Sequence, residues 1–355
     1  MSDRAAKRLR LLGVLDGAHA DELVLTSHAT IAWYLDGART HTSLAGDPLL
    51  AVVVSRDGDT AVVHSNERAR LEAEELPRDL AITEVPWHEP LAGALPRGAR
   101  VAHEAELGPQ LRAARAVLLP LELQRYRALG RECAEVATAV LGAARSGDSE
   151  RDIAAALGAA LIARAIDPLV LLVAGRSRLG HRHPLPTSAP LGDRAMAVVC
   201  GRRHGLVANL TRWVRFAPSR PGERDDEQRI RAVESAFLTA TVPGATLGEA
   251  FAAGIAGYGA AGFDPAEWRN HHQGGAAGYN GRDPRATPGA DDVIRLGQAF
   301  AWNPTAPGAK IEDTLLLGPD GFEVLTADGA WPTVLADGVP RPIELDRTTR
   351  GEETQ

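Results

Sequence analysis

From Glu122 onward the chain is punctuated so explicitly that few folds can hold it: long stretches of helical character alternate with short apolar runs of strand length. Glu122 to Ala144 is rich in Ala, Leu, Arg and Glu, which favour helix. Ser146-Gly147-Asp148-Ser149 stops that helix. Ser149 with Asp152 then has the spacing of a capping box for a second helix, reaching about Ala165. Leu169 to Ala174 reads as a strand, followed by a polar loop with His181, His183 and three prolines. Ala195 to Cys200 and Gly205 to Phe216 read as further strands. A charged helix spans about Asp225 to Ala240. Pro243-Gly244 breaks the chain, and Thr246 with Glu249 caps an Ala/Gly-rich helix. A loop-rich segment, His271 to Pro288, leads to strands at Gln298–Trp302 and Glu312–Leu317. After the turn Pro319-Asp320-Gly321 comes a last strand near Phe322–Leu325.

Upstream, Leu23-Val24-Leu25 and Ile31 to Leu35 read as strand or strand-edge segments, and Asp57-Gly58-Asp59 is a hairpin turn between Leu49–Val54 and Thr60–Val63. A chain of 355 residues exceeds one ordinary core. The pattern predicts an α/β (α+β) protein with a smaller N-terminal α/β domain over 1–120, a larger domain over 121–345 and a polar, frayed tail over 346–355.

Hydrophobic residues at 45% and charged residues at 24% are ordinary for a globular protein. No apolar run approaches a membrane span, and Met-Ser-Asp-Arg opens no signal peptide, so a cytoplasmic protein is expected. A net charge of −7 without a basic stripe argues against nucleic-acid binding. Two distant cysteines, Cys133 and Cys200, give no disulfide framework. Lysine occurs only at Lys7 and Lys310, a bias that fits a GC-rich genome, so single arginines carry little weight.

The order of pieces resembles the pita-bread domain of the creatinase and aminopeptidase P family. The resemblance rests on Gly147 to Glu150, Gly192-Asp193, Gly201, Thr211-Arg212, Pro243-Gly244, Glu312-Asp313-Thr314 and Asp320-Gly321. Leu23 to Leu25, Ile31 to Tyr34 and Gly37 are similar to the family's smaller N-terminal domain, so the likeness runs over about residues 8–330.

The resemblance implies two divalent ions held by two Asp, one His and two Glu, because such cations need anionic ligands. Here the first aspartate's place is Val199, or Cys200 with a slip of one, and the second is Asn209. His271 matches the first His of the Gly-rich loop, but the ligand His is Gly275, and a substrate-binding His further on is Arg282. The first glutamate is Asn303; Glu312 alone remains. No metal and no cofactor is expected.

Within the family, creatinase hydrolyses without metal through a loop His. His181 stands at the ungapped position and His183 is the next candidate, an imidazole being able to shuttle protons near neutrality. Glu312 is expected to polarise or grip the substrate, with Asn209, His271, Gln273, Arg282 and Asn303 shaping its pocket. The plain alternative is that these groups satisfy one another in a retired site. Cys200 fits a buried structural cysteine better than a nucleophile. Three functions follow. The first is a metal-independent hydrolase or lyase acting on a C–N bond of a small amino-acid- or peptide-like molecule. The second is a non-catalytic ligand- or protein-binding module, and the third an Xaa-Pro aminopeptidase with an atypical metal site. The family also implies a homodimer.

Overall fold

The computed structural model describes residues 3–348. Two compact units are present: the chain up to Leu123 together with His204–Leu206, and Gln124–Arg203 together with Val207 onward.

In the first unit, α1 (Asp3–Gly17) leads to β1 (Glu22–Leu25), α2 (His28–Tyr34), β2 (Leu50–Ser55), β3 (Asp59–His64), α3 (Arg68–Glu74), β4 (Ala81–Val85), β5 (Val101–His103) and α4 (Gly108–Ala116). The five strands form one sheet in the order β4-β3-β2-β1-β5, with β2 and β3 joined as the expected hairpin. Ile31 to Tyr34 is helix, not strand. Ser27 caps it by accepting from Thr30 N at 3.1 Å, and Glu104 takes the N–H groups of Thr26 and Ser27 at 2.7 and 2.8 Å. Ala29 through Tyr34 are all buried, so the short helix shows no amphipathic period by which sequence could reveal it. Lys7 of α1 is fully buried, 2.6 Å from Asp36 and 3.0 Å from Glu122.

The second unit takes up α5 (Pro120–Ala143) from Gln124 onward, followed by α6 (Glu150–Ile162), β6 (Asp167–Gly175), β7 (Arg194–Arg203) and β8 (Leu206–Arg215) from Val207 onward. Next come α7 (Glu223–Ala240), α8 (Leu247–Ala260), β9 (Gly274–Ala277), β10 (Ala299–Trp302), β11 (Thr305–Ala306) and β12 (Ala309–Lys310). The closing strands are β13 (Leu315–Gly318), β14 (Gly321–Val324), β15 (Thr333–Ala336), β16 (Val339–Pro342) and β17 (Leu345–Asp346). Both expected capping boxes form, Ser149 with Asp152 and Thr246 with Glu249.

One four-stranded sheet runs β17-β8-β7-β6 and the other β14-β13-β10-β9. Helices α7 and α8 pack on the second, where Phe237 stacks on Trp302 at 4.6 Å between ring centres. No helix among the described residues is long and apolar enough to cross a membrane.

Three differences from the sequence expectation have local causes. Gly274–Ala277, of low β-propensity, is a strand because β10 pairs with it over four positions. A Cβ at Gly274 would meet the Ala301 carbonyl at 2.2 Å, so only glycine admits that approach. Glu312 to Thr314 lies outside β13, because it bonds sideways into β8: Thr211 N donates to Glu312 O at 2.9 Å and Asn209 N to Thr314 Oγ1 at 2.8 Å. Finally, strands continue past Leu325, and the expected tail starts inside one: Asp346 pairs with Arg215. Residues 349–355 of that tail lie outside the described residues.

Candidate functional site

Strand alternation decides which side chains of β6, β7 and β8 can reach a common cavity. Val170 lies opposite Cys200 and Leu172 opposite Val198, and all four line a cavity of about 440 Å³. Val199 pairs with Leu171 on the other face, where Leu171 lies against Gly158 of α6. The preferred sequence position for the first aspartate thus points away from the cavity. Its cavity-facing neighbours are Val198 and Cys200, and neither is a carboxylate. On β8 the same alternation brings Val207 and Asn209 to the cavity.

His183, His272, Asn280, Arg282, Arg285, Asn303, Lys310 and Glu312 complete its polar lining. Both loop histidines are exposed, but only His183 lines the cavity, and His181 lies outside it. His271 sits just behind it, its Nε2 3.0 Å from Nε2 of His183, and its ring stacks on His272 at 4.3 Å. Gln273 does not face the cavity. Its Oε1 accepts from Tyr258 at 2.6 Å and its amide donates to the carbonyls of Trp268 and His271, so it anchors the backbone that presents the histidines.

Glu312 is the centre of the charge arrangement. One oxygen accepts from Arg282 at 2.5 Å; the other accepts from Thr211 Oγ1 at 3.0 Å and lies 3.3 Å from Lys310 Nζ. Burial alone would raise this carboxyl, but Lys310 and then Arg282 outweigh it and hold Glu312 well below the usual carboxylate range. Burial lowers Lys310, partly opposed by Glu312 and reinforced by Arg282. Desolvation, then Lys310 and the neighbouring rings, pushes His271 down to about 2. Desolvation followed by Arg282 and Arg285 pushes His272 down to about 3. His183 is lowered by burial and by Lys310. The three rings are therefore neutral near pH 7, and the short His183–His271 contact is a hydrogen bond in which one Nε2–H donates to the other Nε2. Burial raises the Cys200 thiol to about 12, so it stays protonated near neutral pH.

This donor set does not fit two dications. It offers amides at Asn209 and Asn303 and one carboxylate whose two oxygens already hold two cations and a hydroxyl. At Gly275 a Cβ would lie 2.6 Å from both Ala286 N and Pro284 O, so the backbone at 284–286 has closed over the place where the resemblance puts the ligand His. The nitrogens of His183, His271 and His272 do lie within 4.8 Å of one another, a different donor type in the field of Lys310, Arg282 and Arg285.

Sequence reasoning missed Lys310, Arg285, Asn280 and His272 as cavity residues. Lys310 carried a usable signal, being one of two lysines in a chain that otherwise uses arginine throughout.

Comparison with known proteins fits this architecture. A family model described as metallopeptidase family M24 matches residues 124–319, more than half of the chain. Among solved structures, the prolidase from Pyrococcus horikoshii OT3 is similar at 14% identity and a TM-score of 0.73, covering 90% of this chain and 98% of its own. Dipeptidase PepE from Mycobacterium ulcerans is similar at 19% identity and a TM-score of 0.74, covering 97% of this chain and 99% of its own. The N-terminal domain of the FACT complex subunit SPT16 from Cicer arietinum is similar at 12% identity and a TM-score of 0.67, covering 92% of this chain and 97% of its own. No curated protein matches in sequence. The fold is the pita-bread fold with an N-terminal domain before it, and the chain belongs to metallopeptidase family M24.

Proposed function

We propose that this chain is a hydrolase or lyase that acts on a C–N bond of a small amino-acid- or peptide-like molecule without the two-metal centre of its family. The observation that carries this reading is Glu312, whose oxygens are held by Arg282, Thr211 and Lys310 rather than left open for a dication. In this scheme neutral His183 takes a proton from water and returns it to the leaving nitrogen, with His271 hydrogen-bonded behind it. Arg282 and Lys310 supply positive charge for the oxyanion that develops as water adds to the carbonyl carbon.

The test is turnover across a panel of amides, guanidines and dipeptides, together with elemental analysis. Turnover that survives chelation, is abolished in His183→Ala and persists in His181→Ala supports the proposal. Two manganese, zinc or cobalt ions per chain, with Xaa-Pro cleavage, would sink it. A second reading, a binding module without turnover, draws support from the likeness to SPT16, which is named as a subunit of a complex and not as a peptidase. Tight ligand binding with no turnover across the panel favours that reading.

A further inference from the structure

The cavity has two unlike walls. Leu169, Val170, Leu172, Val198 and Val207 make one of them apolar. The other carries Arg282, Arg285 and Lys310 against a single carboxylate, Glu312, among the described residues that line it. That carboxylate is already ion-paired to Arg282 and Lys310. Even with Lys310 neutral, two guanidinium groups face one carboxylate, and the imidazoles add no negative charge. An incoming ammonium group would find positive charge and no open anion, whereas a carboxylate would find guanidinium donors suited to it.

Three buried polar atoms refine the ligand. Asn209 Oδ1, Asn303 Oδ1 and Arg282 Nε have no hydrogen-bond partner among the described residues, although both asparagines are almost fully buried. Asn209 is oriented by its own amide, which donates to Val207 O at 3.3 Å and leaves Oδ1 as the free acceptor. Buried groups of this kind cost stability unless something pairs with them. The free acceptors call for an N–H donor on the ligand, and the free guanidinium N–H calls for a carbonyl or carboxylate oxygen.

Resting on the reading of this cavity as a substrate site, we infer that its ligand is a net-anionic, N-blocked amino acid: an N-acyl amino acid with an apolar side chain, not a zwitterionic dipeptide. The carboxylate lies towards Arg285, the acyl carbonyl towards Arg282, the amide N–H towards the asparagine oxygens, and the side chain on the valine- and leucine-lined wall. A cavity of about 440 Å³ is within the usual range for a ligand of this size.

Three matched probes test it by calorimetry: N-acetyl-leucine, glycyl-leucine, which adds only an ammonium group, and N-acetyl-leucinamide, which removes the carboxylate charge. N-acetyl-leucine is expected to bind at least about tenfold tighter than either of the others. Arg285 is exposed, so Arg285→Gln should fold normally. That variant is expected to weaken N-acetyl-leucine severalfold and to leave N-acetyl-leucinamide unchanged. Equal or tighter binding of glycyl-leucine or of the leucinamide overturns the inference, as does failure of all three to bind at millimolar concentration. Preference for N-acetyl-leucine without hydrolysis keeps the inference and removes the catalytic proposal. Faster hydrolysis of glycyl-leucine does the reverse.

Discussion

Glu312 is one carboxylate serving two cations and a hydroxyl in a buried setting. Replacing it by Gln leaves Arg282 and Lys310 buried without their anion. Breaking such a pair from one side costs roughly 3–5 kcal/mol. Glu312→Gln is accordingly expected to lower the midpoint of urea unfolding strongly, and an unchanged midpoint would contradict the arrangement. The histidines give a separate pH signature. His271 and His272 are held down to about 2 and about 3, so below pH 6.5 the unfolded chain binds more protons than the folded one. Stability therefore falls as pH drops from 6.5, by roughly 1 kcal/mol per histidine in the first unit of pH. Glu312 contributes to acid loss only below about 4.5, where the unfolded carboxyl begins to protonate. Urea unfolding at pH 6.5 and 5.5 isolates the histidine part, and a His271→Gln, His272→Gln double variant should lose less over that interval than the parent.

Gly275 marks a constraint that belongs to a whole element. With φ at +143° and the backbone of 284–286 against it, the site of the absent ligand imidazole is filled by main chain. Gly275→His is expected to destabilise β9 and its bridge to Arg285, not to restore metal binding; thermal unfolding with and without manganese checks this. The segment after β12 is pinned just as firmly. Asp313 lies 2.9 Å from Arg212 and 3.1 Å from Arg341, and Arg341 also grips Glu234 at 2.5 and 2.7 Å. Arg341→Leu strands the buried Glu234, while Asp313 keeps Arg212, and should cost roughly 3–5 kcal/mol in urea unfolding. The helices around these strands were legible because their signals are local: Ser149 with Asp152, Thr246 with Glu249 and Pro243-Gly244 each act within a few residues. Segment 31–35 was misread because a fully buried short helix carries no periodicity, and β9 was missed because its pairing comes from a partner more than twenty residues away.

Taken over the whole chain, the family was legible from the order and spacing of its punctuation, since those survive at sequence identities below 20%. The cavity was legible only in part. Asn209, Asn303, Arg282 and Glu312 stand at family positions and could be named. The choice between His181 and His183 depends on a loop path that no local signal fixes, and Arg285 reaches the cavity through the turn that closes on Gly275. If the two-metal centre is absent, EDTA should leave the thermal midpoint of the protein unchanged, because it removes no ligand that stabilises the folded state. A fall of several degrees on chelation would point to a bound ion.

The two lysines have a practical consequence. Lys7 is 0% exposed in the first unit and Lys310 is 6% exposed in the second, so each unit hides one side-chain amine and displays none. An acylating reagent, or an endoprotease that cuts after lysine, should leave the native side chains alone and strike each position only when its own unit opens. Peptide mapping across a denaturant series would then time the opening of the two halves of the chain separately, with no engineered label.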